Sequence, residues 1–145
     1  MKEFEERINK LRNLGLRLTK QRIMLFKLLF GTKDTFHFTI DELSKMYKRK
    51  VGLKISLATI YNTVHTLKEK GWLKEIPIDG NKIYYDTNTS MHHHFYDEDE
   101  ARLIDFKGND ISVDNLPKPP SNKSIKRIEL MIRVANNNYN QKKID

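Results

Sequence analysis

Cysteine is absent from the 145-residue chain. This excludes disulfides, thiolate metal ligands and any structural zinc site built from four cysteines or from cysteine mixed with histidine. Metal chemistry must therefore draw on His, Asp and Glu. No stretch approaches the roughly 20 continuous apolar residues of a membrane span. The N-terminus MKEFEERINK has acidic residues where a signal peptide needs an apolar segment, so the reading is a cytoplasmic protein with no membrane partner. Also missing are a glycine-rich phosphate loop, a G-x-S-x-G elbow, an HExxH pair and a cysteine nucleophile, and the chain is not expected to be an enzyme. Asp41-Glu42 and the acidic run at 97–100 read as a capping segment and a solvated loop, since nothing places either in a cleft.

With 38% hydrophobic and 32% charged residues and regularly spaced apolar positions, the chain is able to bury a core. Its length permits one ordinary domain or two small ones. The net charge of +8 is unevenly placed: residues 1–86 hold 18 Lys/Arg against 10 Asp/Glu, and residues 87–145 hold 9 against 9. The whole excess lies in the first part, which suits a polyanion-binding module followed by a neutral one.

The spacing predicts a helix over about 3–14, with Phe4, Ile8 and Leu11 recurring at helical period and Gly15 as a stop. A second begins at Thr19, carries Ile23, Phe26 and Phe30, and ends at Gly31. Thr39 and Glu42 form a Thr-x-x-Glu capping box for a third, which ends in Lys48, Arg49 and Lys50. A fourth, 56–70, places Leu57, Ile60, Val64 and Leu67 on one stripe. From Trp72 to Asp86 the period approaches two, and Asp79-Gly80 signals a hairpin turn. Helices followed by a β-hairpin predict a winged helix-turn-helix over 1–86, in which the helix before the wing enters the major groove of double-stranded DNA.

Beyond the wing, ARLIDF and IKRIELMIRV read as strands, the second alternating Ile128, Leu130, Ile132 and Val134 against Arg127, Glu129 and Arg133. Two or three strands are too few to stand alone, so 87–135 is expected to be a small α/β domain that completes its core in a homodimer. The fold class is thus α+β, and the tail 136–145 is expected to be disordered.

On the fourth helix, Ser56, Ala58, Thr59, Tyr61 and Asn62 offer small apolar groups for thymine methyls and hydroxyl or amide groups for base edges and phosphates. No arginine is there to grip guanine. That points to A·T-rich sites read partly by shape, with Arg17 or Lys20 for a narrow minor groove or the backbone. The second constellation is His92-His93-His94, followed by Asp97, Glu98, Asp99 and Glu100. In an extended segment His92 and His94 project to one face and His93 to the other. Imidazoles suit iron, zinc and haem iron, and carboxylates add hard ligands; a structural histidine cluster is the competing reading.

Together, LGLRLTKQRIMLFKLLF, HFTIDELSKMY, SLATIYNTVHTLKEKGWLKE and GNKIYYDTN with the histidines after it resemble the ferric uptake regulator (Fur) family over nearly the whole chain. SLATIYNT, YYDTNTSMHHHFY and LPKPPSN look like its Irr branch, the iron response regulators that sense iron through haem. The resemblance implies a homodimeric regulator of iron and haem genes, with His92, His93 and His94 as haem ligands. It also implies a metal site drawing on His37, Asp86 and His93, although Phe95 stands where Fur carries another histidine. Arg17 matches a basic residue placed in the minor groove, and Tyr61 matches a tyrosine that reads bases. Asn62 replaces a common arginine, which suggests a different operator.

Three functional expectations follow: a dimeric regulator released from A·T-rich DNA by haem; a Fur-type repressor closed onto DNA by Fe2+, Mn2+ or Zn2+; and a haem or metal carrier with an incidental basic surface. The first is the leading one.

Overall fold

Hydroxyl side chains start three of the helices. In this computed structural model, which describes residues 2–107, 109 and 111–137, α2 (Lys20–Phe30) begins at Thr19, α3 (Ile40–Val51) at Thr39 and α4 (Leu57–Glu69) at Ser56, each side-chain oxygen accepting a backbone N–H of the first turn. For α3 the capping box is complete, because Glu42 in return accepts the Thr39 N–H at 3.2 Å. Gly52 ends α3 at φ 76°, a left-handed conformation that costs glycine little and other residues more. The lead-in helix α1 (Lys2–Asn13) has Glu3 and Glu5 in its first turn and Lys10 and Arg12 in its last, charges that complement the helix dipole.

The hairpin joins β2 (Lys74–Asp79) to β3 (Lys82–Asp86), and a two-residue strand β1 (His37–Phe38) pairs antiparallel with the free edge of β3, giving the order β1-β3-β2. Reciprocal bonds between Phe36 and Thr87 continue that ladder. Its core includes Leu25, Phe26, Phe38, Leu43, Tyr47 and Ile60, each no more than 1% exposed. One sequence expectation fails here. Leu57, assigned to the buried stripe of α4, is 58% exposed, and Thr63 takes a core place instead, its hydroxyl satisfied by the Thr59 carbonyl at 2.7 Å. Leu57 is the first residue of the helix, where core neighbours do not reach it despite its period.

The chain divides into two units, Met1–Thr89 and Ser90–Asp145. The regular elements of the second, over its described residues, are strands: β4 (His93–Asp97), β5 (Arg102–Phe106) and β6 (Met131–Val134), in the order β5-β4-β6. β5 runs antiparallel to β4 and β6 parallel to it. The tight β4–β5 turn rests on Asp97, whose carboxylate accepts the N–H groups of Asp99 and Glu100 at 3.0 Å. The expected strand over IKRIELMIRV is shorter than its alternation suggested: Met131–Val134 pair with His94–Asp97, while the Leu130 N–H turns to the His93 side chain. Of the tail expected to be disordered, 138–145 lies outside the described residues, while the Asn136 N–H is held by the Asp99 carboxylate. No helix of the described residues is long and apolar enough to cross a membrane.

Candidate functional site

The chemistry of the second unit gathers on one face of β4. His94 and Asp105 are register partners across the β4–β5 ladder, and side chains two residues apart on an extended chain share a face, so His92 joins them. Nε2 of His94 lies 3.1 Å and Nε2 of His92 lies 3.7 Å from the same Asp105 oxygen. The two imidazole centroids are 4.5 Å apart. His92 Nδ1 donates to the Ser90 carbonyl at 2.8 Å, and Nε2 is the nitrogen that faces the carboxylate. The ligand atoms of His92, His94 and Asp105 all lie within 4.8 Å of one another. Two imidazoles and a carboxylate so converged fit a divalent first-row cation such as Fe2+, Mn2+ or Zn2+.

His93 takes the opposite face. Its Nδ1 accepts the Leu130 N–H at 3.2 Å and its ring packs on Phe106. The histidine triplet is therefore divided by the pleat, with two members on the Asp105 side. Asp105 was not among the sequence candidates; its signal was the alternation of ARLIDF, but the partner of that strand could be found only from the register.

In the first unit, His37 and Asp86 are also register partners, on β1 and β3. The His37 ring meets Tyr84 edge-on at 5.7 Å, and the buried Asp86 carboxylate accepts the Asn88 N–H at 2.8 Å.

The candidate nucleic-acid surface is centred on α4. Ser56, Ala58, Tyr61 and Asn62 are exposed and Thr59 is half-buried. The hydroxyls of Ser56 and Thr59 lie 2.8 Å apart and the Ser56 hydroxyl also caps the helix, so both serve its N-terminus. Tyr61 stacks on His65 with centroids 5.9 Å apart. Arg17 and Lys20 are exposed at the entry to α2, and the Arg17 carbonyl accepts from the Arg22 guanidinium at 2.8 Å.

Lys68 of α4 reaches Glu75 of β2 at 2.6 Å and Glu69 at 3.5 Å. The hydrogen bond to Glu75 leads the effects that hold the Lys68 ammonium above its usual pKa of 10.5. Burial, aided by the Glu75 charge, pushes the neighbouring Tyr85 phenol above its usual 10.0. Glu75 and Tyr85 face each other across the hairpin, so α4 and the wing share one charged seam.

The ferric uptake regulator family model matches residues 13–133. The chain is 35% identical over 104 residues to the peroxide-responsive repressor PerR of Staphylococcus epidermidis, covering 72% of this chain and 67% of that protein. It is 34% identical over 104 residues to PerR of Staphylococcus saprophyticus, covering 72% and 68%. In fold it is similar to the ferric uptake regulator from Pseudomonas aeruginosa with manganese (TM-score 0.65, 19% identity, 89% of this chain and 96% of that one). It is likewise similar to that of Helicobacter pylori (TM-score 0.66, 14% identity, 92% and 89%). By this match the chain belongs to the ferric uptake regulator family and is a metal-responsive transcription regulator.

Proposed function

We propose that the protein is a cytoplasmic homodimeric repressor that grips A·T-rich double-stranded DNA when a divalent cation, Fe2+ or Mn2+, occupies a site including His92, His94 and Asp105. The convergence of two buried imidazoles and one carboxylate within 4.8 Å is the observation that carries this reading. The DNA-contacting residues are Ser56, Ala58, Thr59, Tyr61 and Asn62 on α4, with Arg17 and Lys20 for the backbone or minor groove. The second unit provides the dimer contact, since it exposes Val113, Leu116, Ile125 and Ile132 and its small sheet gains a core by pairing. The family resemblance also implies His37 and Asp86, register partners on β1 and β3, as metal ligands, whereas His93, which it implies too, turns to the face of β4 away from His92 and His94.

The relatives named as peroxide-responsive repressors support a further element: hydrogen peroxide releases the protein from DNA. Release by haem, implied by the Irr resemblance, needs the histidine triplet to act as a unit. The division of His93 from His92 and His94 by the pleat of β4 favours the metal reading over it.

The test is fluorescence anisotropy of metal-stripped protein on an A·T-rich palindromic duplex, titrated in parallel with Mn2+ and with haem. Binding that appears with Mn2+ and ignores haem supports the proposal. Tight binding without metal that haem abolishes overturns it in favour of the haem-released regulator. Weak binding with steep salt dependence and no sequence preference overturns both and leaves a metal carrier.

A further inference from the structure

Among the described residues of the first unit, the large hydrophobic side chains left exposed are Leu14, Met24, Leu53, Leu57 and Tyr61. Isolated exposed leucines are common and need no explanation. Three of these five, however, fall within residues 53–61, at and just before the start of α4. Leu57 and Tyr61 are 58% and 52% exposed, and their i, i+4 spacing makes them neighbours on one helix surface. Exposed Ala58 and Asn62 follow them around the same side. This apolar strip lies in the unit that holds the chain's whole positive excess, 18 Lys/Arg against 10 Asp/Glu over residues 1–86. A hydrophobic partner protein with a neutral face gains nothing from that charge, whereas DNA does.

The chemistry of the strip selects what it meets on DNA. A recognition helix presents its N-terminal residues to base edges, and Ser56 as cap makes Leu57 the first helical residue. Leucine can neither donate nor accept a hydrogen bond, and the apolar group on a major-groove base edge is the C5-methyl of thymine. We propose that Leu57 is a specificity-determining residue that packs on a thymine methyl in the major groove and so selects thymine at one position of each half-site. This deepens the DNA-binding reading of α4 and rests on it. The apolar period that draws Leu57 toward the core in sequence thus has its use on the outside of the fold.

The experiment removes the methyl and the leucine separately. Duplexes are first enriched from a random pool on the Mn2+-loaded full chain, and each thymine of the enriched site is then replaced singly by uracil. Affinities are measured for the wild type, Leu57→Ala and, for comparison, Tyr61→Ala. At one thymine per half-site, uracil is expected to weaken wild-type binding about fourfold, the factor for burying one methyl-sized group. Leu57→Ala should lose a similar factor on the thymine duplex and show no further loss with uracil there. Because Leu57 is exposed, its thermal midpoint should stay at the wild-type value. Uracil effects that persist unchanged in Leu57→Ala, or vanish only in Tyr61→Ala, overturn this inference while leaving the DNA-binding reading intact. If no uracil position affects the wild type, thymine methyls are not read and the inference also fails. A pool that yields no enriched sequence removes the DNA-reading basis itself.

Discussion

Nε2 of His94 stands 3.1 Å from a carboxylate oxygen of Asp105, and the two residues are partners across the β4–β5 ladder. Backbone pairing therefore holds an imidazole and a carboxylate on adjacent strands at ligand distance, where neither depends on a flexible loop. Such a pair is rigid before any ion arrives, which lowers the ordering cost of binding.

Asp105→Asn is expected to weaken Mn2+ binding by about tenfold or more, whether the carboxylate meets the ion itself or orients His94. Isothermal calorimetry on the metal-stripped chain reads this directly. An unchanged affinity would remove Asp105 from the site.

The Lys68–Glu75 contact at 2.6 Å joins α4 to the wing. Its raised Lys68 pKa means that the folded state holds the proton more tightly than the unfolded chain. The stabilisation is fully present below the ordinary 10.5 and is lost as pH rises through the higher folded value. Glu75→Gln should thus lower the urea midpoint slightly at neutral pH, with the difference from wild type closing in strong alkali. A difference that does not change with pH would assign the effect to packing.

Tyr85 has the same sign for a different reason: burial disfavours its phenolate. Above the ordinary value of 10.0 the unfolded chain ionises first, so stability falls as pH rises past that point. Tyr85→Phe removes the ionisation and should show a shallower alkaline decline than wild type in parallel urea titrations. Identical slopes would exclude Tyr85 as a source of the decline.

At Gly52 an added Cβ would meet nothing within 4 Å, yet φ is +76°. Gly52→Ala therefore isolates backbone strain from steric clash and should cost roughly 1–2 kcal/mol. The readout is chemical denaturation with an unchanged slope; a neutral substitution would show that the α3 terminus relaxes into another conformation.

Much of the first unit was legible because its signals are local. Thr39 and Glu42 cap α3 within four residues of each other, Asp79-Gly80 closes the wing between two alternating segments, and the unevenness of charge needs no folding to be seen. The residues of the proposed metal site were half legible, since the sequence singled out His92 and His94 but as haem ligands. Alternation sufficed to separate His93 from His92 and His94, and the histidines drew attention by their run, but Asp105 gave no such sign.

What the sequence by itself determined is therefore the set of short-range decisions: where helices begin, where the hairpin turns, and which faces of a strand its side chains take. Tertiary structure decided whatever needed a partner distant in the chain. β1 exists because β3 has a free edge for His37 and Phe38, and β6 begins only at Met131 because the Leu130 N–H turns to the His93 side chain. Leu57 is exposed although its period is that of the core, and Asp105 faces His94 through a register that no residue of either strand specifies alone. The physical reason is common to all four: hydrogen-bond ladders and burial are properties of pairs of segments, and one segment's pattern states only what it could satisfy, not which neighbour arrives to satisfy it.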